Sequence, residues 1–172
     1  MTGVEIKLAA EAYVDEFIDD PDALKAINEA IAEIGDMALI DEYTILTSTE
    51  NREWLELPVD ITTVVEVEDM NRNTYRGYRV RGNNLISFNE AGTYKVYYRR
   101  IPRPISGLNA TPEIHEAYHQ ALVSFLIGWW KLKDDDENPD GLRNIERFKE
   151  KSMRVYNSLR RRRTPQQIQV VR

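Results

Sequence analysis

The chain has 172 residues, 29 acidic and 23 basic side chains, and a formal charge of -6. It has no cysteine, which excludes a disulfide framework, a thiolate metal site and a cysteine nucleophile. Residues 1–70 carry 19 Asp/Glu and 3 Lys/Arg, residues 71–172 carry 10 and 20, and this division of -16 against +10 argues against a plain nucleic-acid binder, which would be basic overall.

The N-terminal segment reads as two helices. Ile6, Ala10, Tyr13, Val14 and Phe17 fall on one helical face. Asp19 or Asp20 then offers an N-cap, with Pro21 at the first helical position. Leu24, Ile27, Ile31 and Ile34 follow at spacings of three and four, an apolar seam suited to packing on another helix. Gly35 weakens that helix near its end. The acidic start and the lack of an apolar h-region give no sign of a signal peptide.

From Asp41 the period changes to two. Tyr43–Thr47, Trp54–Leu57, Ile61–Val67, Arg76–Val80, Leu85–Phe88 and Tyr94–Tyr98 are short β-branched and aromatic runs. Gly82-Asn83-Asn84 and Asn89–Gly92 have tight-turn compositions. This predicts an antiparallel β-meander or small β-sandwich. Pro102, Pro104, Gly107 and Pro112 mark an irregular connector.

Thr111 as N-cap and Pro112 as first residue predict a helix carrying Ile114, Ala117, Tyr118, Ala121, Leu122, Phe125, Leu126 and Trp129, the centre of the helical core. Its apolar run, Ala121–Trp130, is about half the ~20 residues that span a bilayer. Lys131 and Lys133 suit its C-terminus. Asp134–Gly141 reads as a polar loop, and a last helix places Ile145, Phe148, Ser152, Tyr156 and Leu159 on one face. The fold class expected is α+β. A helical bundle of two N-terminal and two C-terminal helices (1–40 and 111–163) carries a β insertion (41–103), and 164–172 is a C-terminal tail.

His115-Glu116-Ala117-Tyr118-His119 matches H-E-x-x-H. On a helix, His115 and His119 would share a face and could ligate one zinc, with Glu116 as general base on the bound water. A catalytic zinc needs a third protein ligand. Leu122 and Phe125 stand where a metzincin has glycine and histidine, and Glu137 lies in the polar loop. A protonated imidazole would also meet the positive end of the helix dipole. A zinc metallopeptidase is therefore the alternative reading, and the leading one treats both histidines as surface or interface residues with no metal and no cofactor. Asp134–Glu137 lacks the spaced ligands and turn glycine of a calcium loop. No phosphate-binding glycine loop or nucleophile elbow is present.

Residues 141–172 hold ten Lys/Arg and two Glu, and Arg160, Arg161, Arg162 and Arg163 are consecutive. Four arginines exceed what helix capping needs, so the run reads as a docking element for an acidic surface or a phosphate backbone. Ile168 and Val170 give the tail a β-like pattern. Arg76, Arg79, Arg81, Arg99, Arg100 and Arg103 form a second basic set. An acidic first half and a basic second half are complementary between copies, which suggests head-to-tail neighbours.

Several stretches resemble the head-to-tail adaptor (connector) proteins of tailed bacteriophages. These are Leu57-Pro58-Val59-Asp60 leading into Val64–Val67, Gly92–Tyr98 with Pro102, Thr111–His115 opening an apolar helix, and Tyr156-Asn157 in the final helix. The resemblance implies a non-enzymatic virion component of the neck, assembled in the host cytoplasm as a dodecameric ring. Such a ring binds the portal protein and a tail or stopper protein and passes double-stranded DNA without sequence specificity. It involves no membrane. It also implies docking through Arg160–Arg163 with Ile168 and Val170, and no catalytic role for the histidines.

Overall fold

The computed structural model describes residues 1–82 and 84–163, except the side chains of 161–163. The chain divides into two compact units: Met1–Ala38 with Pro102–Arg172, and Leu39–Ile101. The class is α+β, with four α-helices and two small antiparallel sheets among the described residues.

The first unit is helical. Helix α1 (Gly3–Val14) opens on a capping box: the Thr2 hydroxyl accepts from Glu5 N and the Glu5 carboxylate accepts from Thr2 N. Gly3 has no room for a side chain, since a Cβ there would lie 2.8 Å from the Leu108 carbonyl oxygen. This close approach lets Gly3 N and Val4 N donate to the carbonyls of Ala110 and Leu108, at 3.0 and 2.8 Å. The helix stops at Val14, because Asp15 turns left-handed at φ 57°. Tyr13 and Phe17 are consequently exposed rather than buried with Ile6 and Ala10.

Helix α2 (Asp20–Ile34) is capped by Asp19, whose carboxylate accepts from Asp22 N. It buries Ala23, Ala26, Ile27, Ala30, Ile31 and Ile34, and Gly35 ends it at φ 34°. Alanines at every turn allow close helix contact. The Asn28 side chain holds the connector from both sides, accepting from Ile105 N and donating to its carbonyl.

Helix α3 (His119–Asp134) is the centre of this unit and packs on α1, α2 and α4 (Pro139–Arg163). It buries every residue from Ala121 to Gly128. Phe125 meets Phe148 edge to face with ring centroids 4.9 Å apart. Its two tryptophans reach acidic partners: Trp129 Nε1 donates to Glu29 and Trp130 Nε1 to Glu16, both at 2.8 Å. Helix α4 begins at Pro139, inside the segment expected to be loop, because the Asn138 side chain caps Gly141 N.

The second unit contains β1 (Ile40–Ser48), β2 (Trp54–Glu56), β3 (Ile61–Asp69), β4 (Tyr78–Arg81), β5 (Leu85–Phe88) and β6 (Gly92–Arg100). One sheet has the order β1-β6-β3 and the other β2-β5-β4. Strand β6 alternates buried Tyr94, Val96, Tyr98 and Arg100 with outward Thr93, Lys95, Tyr97 and Arg99. The inward residues join Leu57, Ile61, Val67, Ile86 and Phe88 in one core. Phe88 stacks on Tyr94 with ring centroids 4.0 Å apart. Register shifts at Ile61/Thr63 and Val64/Glu66 bulge β3, so the strict alternation expected for Ile61–Val67 fails there. No helix among the described residues is long and apolar enough to cross a membrane.

Candidate functional site

The H-E-x-x-H segment does not form a metal-binding helical face. The helix expected from Thr111 begins only at His119, after a 3-10 turn over Glu116–Tyr118. His115 is extended, with φ -55° and ψ 137°. Its Nδ1 accepts from Ala117 N at 3.1 Å, which uses the imidazole as a cap. The i, i+4 geometry that would aim both rings at one ion requires helical backbone throughout, and the extended residue breaks it. The cause is tertiary. Pro112 and Ile114 are buried in the connector, and Glu113 accepts from Arg103 N at 3.3 Å.

His119 is buried, contrary to its reading as a surface or interface residue. Its Nδ1 faces the Met1 amino group at 2.7 Å, and its Nε2 has no hydrogen-bond partner among the described residues. Burial pushes its pKa below the ordinary histidine value, and the nearby terminal amine adds to this. A neutral ring is therefore favoured. Among the described residues no group of three His, Cys, Asp or Glu side chains could hold a metal ion.

The arginine run ends α4. Arg160 is exposed, and the helix backbone continues to Arg163. Ile168 and Val170 lie outside the described residues, as do the side chains of Arg161, Arg162 and Arg163. Along the outer side of α4, Arg143, Arg147, Lys149 and Arg154 are exposed beside Glu146 and Glu150. Lys151 turns inward and donates to Ser124 Oγ at 2.8 Å.

The second basic set is not uniformly available. Arg100 is buried and pairs with Glu42 at 2.5 Å and with Asp60 at 3.8 Å. Arg99 pairs with Asp41 at 2.9 Å. Arg76, Arg79, Arg81 and Arg103 are exposed. The outer face of the β1-β6-β3 sheet carries Tyr43 and Tyr97, with Lys95 Nζ 4.0 and 4.6 Å from their ring centroids. A hydrogen bond to Tyr97 raises the Lys95 pKa, and Tyr97 donates its own hydroxyl proton to Glu68. A shallow groove of about 370 Å³ runs between Tyr43, Val65, Glu66 and Tyr97.

The periodicity gave no sign of the exposed apolar side of α1, where Leu8 and Ala12 face solvent near Tyr13 and Phe17. The one available signal was that α1 is apolar nearly all round, which a two-face template does not register.

Comparison with known families, and not the side-chain arrangement, gives the class of this chain: a phage adaptor. The chain belongs to the SU10 adaptor protein family, whose model matches residues 1–170. No curated protein matches it. Membership makes the chain a virion component of adaptor type.

Proposed function

We propose that this chain is a structural subunit of a homo-oligomeric ring below the portal of a tailed phage. The ring extends the DNA channel and joins the tail. The observation that supports this most is the family match across nearly the whole chain, on a helical unit and a strand unit. In this reading 1–40 and 111–163 form the ring body, 41–103 makes subunit or tail contacts, and 164–172 is the docking tail. Arg160, Arg161, Arg162 and Arg163, with Ile168 and Val170, bind the portal. The subunit has no catalytic role and needs no cofactor, DNA passes without sequence-specific contact, and the ring, dodecameric by resemblance, sits in the virion neck after assembly in the host cytoplasm.

Negative-stain microscopy of the chain mixed with the portal of its own phage tests this. Portals bearing an added ring are the expected result. Bare portals beside monomeric chain would overturn the reading.

A further inference from the structure

Two exposed faces of the helical unit are complementary in chemistry. The first is the solvent side of α1. Leu8 is 56% exposed and Ala12, one turn on, is exposed with it, while Tyr13 at the helix end and Phe17 in the turn after it are 52% and 73% exposed. An apolar side of this kind on a soluble helix marks a protein contact. Its rim is acidic: Glu5, Asp15, Glu16, Asp19 and Asp20 are exposed. The one Lys or Arg among residues 1–24 is Lys7, which is buried against Asp20 with its Nζ 4.4 Å from the Phe17 ring centroid.

The second face is the outer side of α4. Leu142 and Met153 are 52% and 51% exposed. They stand three turns apart on one side of the helix, about 16 Å at 1.5 Å per residue. Lys149 and Glu146 stand beside them, and Arg143, Arg147 and Arg154 lie further round the outer side with Glu150, four cations against two carboxylates in all. Among the described residues, Arg147, Lys149 and Arg154 pair with no carboxylate of their own chain, while Arg143 reaches only Asp140, at 3.7 Å.

We propose that the α1 face of one copy packs on the α4 face of the next. Both faces are open to solvent among the described residues, which leaves them free for a second copy to cover. An apolar centre with an aromatic anchor and an oppositely charged rim on each side is the usual anatomy of a specific interface. The contact is heterologous, which yields a closed ring when its rotation closes. The inference rests on the self-assembly proposed above and names its surface.

The absence of native cysteine makes disulfide trapping clean. Ala12→Cys and Lys149→Cys variants are mixed at high concentration under mild oxidation, with Val59→Cys, fully exposed in the strand unit, as control. Apposed thiols act at high effective concentration, so the mixed pair should cross-link at least about tenfold faster than either variant with Val59→Cys. Arg147→Glu with Arg154→Glu, added to the Lys149→Cys chain, should remove most of that advantage. Equal cross-linking of Ala12→Cys with itself, or no excess over the control, overturns the proposed contact. Rings seen by microscopy without the cross-link reject this interface and leave the ring reading standing. Loss of both rejects the two together.

Discussion

At the scale of single residues, the helix entry around 115–119 shows how neighbours set a side chain's role. Tyr118 is fully buried, and its hydroxyl donates to the Met37 carbonyl at 2.8 Å. Tyr118→Phe leaves that carbonyl without this donor, so chemical denaturation should show a loss of about 1–2 kcal/mol. His119 supplies a pH dependence. Its folded-state pKa lies below the unfolded value, so the unfolded chain takes up the proton first as pH falls. The contribution is complete above about pH 6.5 and is lost as pH falls below it. Thermal melts from pH 8 to 5 should show stability falling below that point, and His119→Gln should flatten the slope. An unchanged slope in the variant would assign the effect to carboxylates instead. The H-E-x-x-H string was plainly legible in the sequence. That His115 is extended was not, because its conformation is imposed by the buried Pro112 and Ile114 beside it.

At the scale of elements, capping chemistry was largely readable and close approach was not. Asp19 and Pro21 announced the start of α2, and six strands emerged from alternating Val, Ile and Tyr with turn residues between them. Gly128 and Gly141 carried no such signal. A Cβ on Gly128 would lie 2.8 Å from Ile145 Cδ1 and 2.9 Å from the Gly141 carbonyl oxygen, where α3 crosses α4. Gly128→Ala must push backbone against backbone, and its gain in helix propensity does not offset that. A loss of about 1–3 kcal/mol should appear in unfolding measurements. In the strand unit, Phe88 is fully buried and stacked on Tyr94. Burial accordingly pushes the Tyr94 hydroxyl up to about 12. Phe88→Ala opens a cavity and should cost about 3–5 kcal/mol. Limited proteolysis should then cut first within residues 39–101, since the helical unit has a separate core.

At the scale of the whole molecule, the charge division takes on a different meaning. Part of the acidic surplus of the first half is answered inside the chain, where Lys133 pairs with Asp22, Arg99 with Asp41 and Arg100 with Glu42, beside the local pair of Lys7 with Asp20. Asp20 holds Lys7, and Asp22 holds Lys133, above the ordinary lysine pKa. In the reading proposed above, the rim of α1 and the outer side and end of α4 are the charged surfaces that meet partners. Charge reversal of Arg160, Arg161, Arg162 and Arg163 to Glu should abolish portal binding in a pull-down and leave the melting temperature within a few degrees of the parent, because single surface charges at a helix end typically add little to stability. Binding that survives reversal would move the docking element elsewhere.

Composition and period alone determined that this is a cysteine-free α+β chain, helical at both ends with strands between, whose positive charge gathers in its last helix. Those properties are local or additive, so one dimension suffices to read them. Only the tertiary structure decided that Arg100 is a buried ion-pair partner, that Asp15 ends α1 and leaves Phe17 in solvent, and that His115 is extended ahead of the helix while His119 is buried. Each depends on contacts between residues distant in sequence or on a backbone turn that competes with helix, and neither leaves a periodic trace.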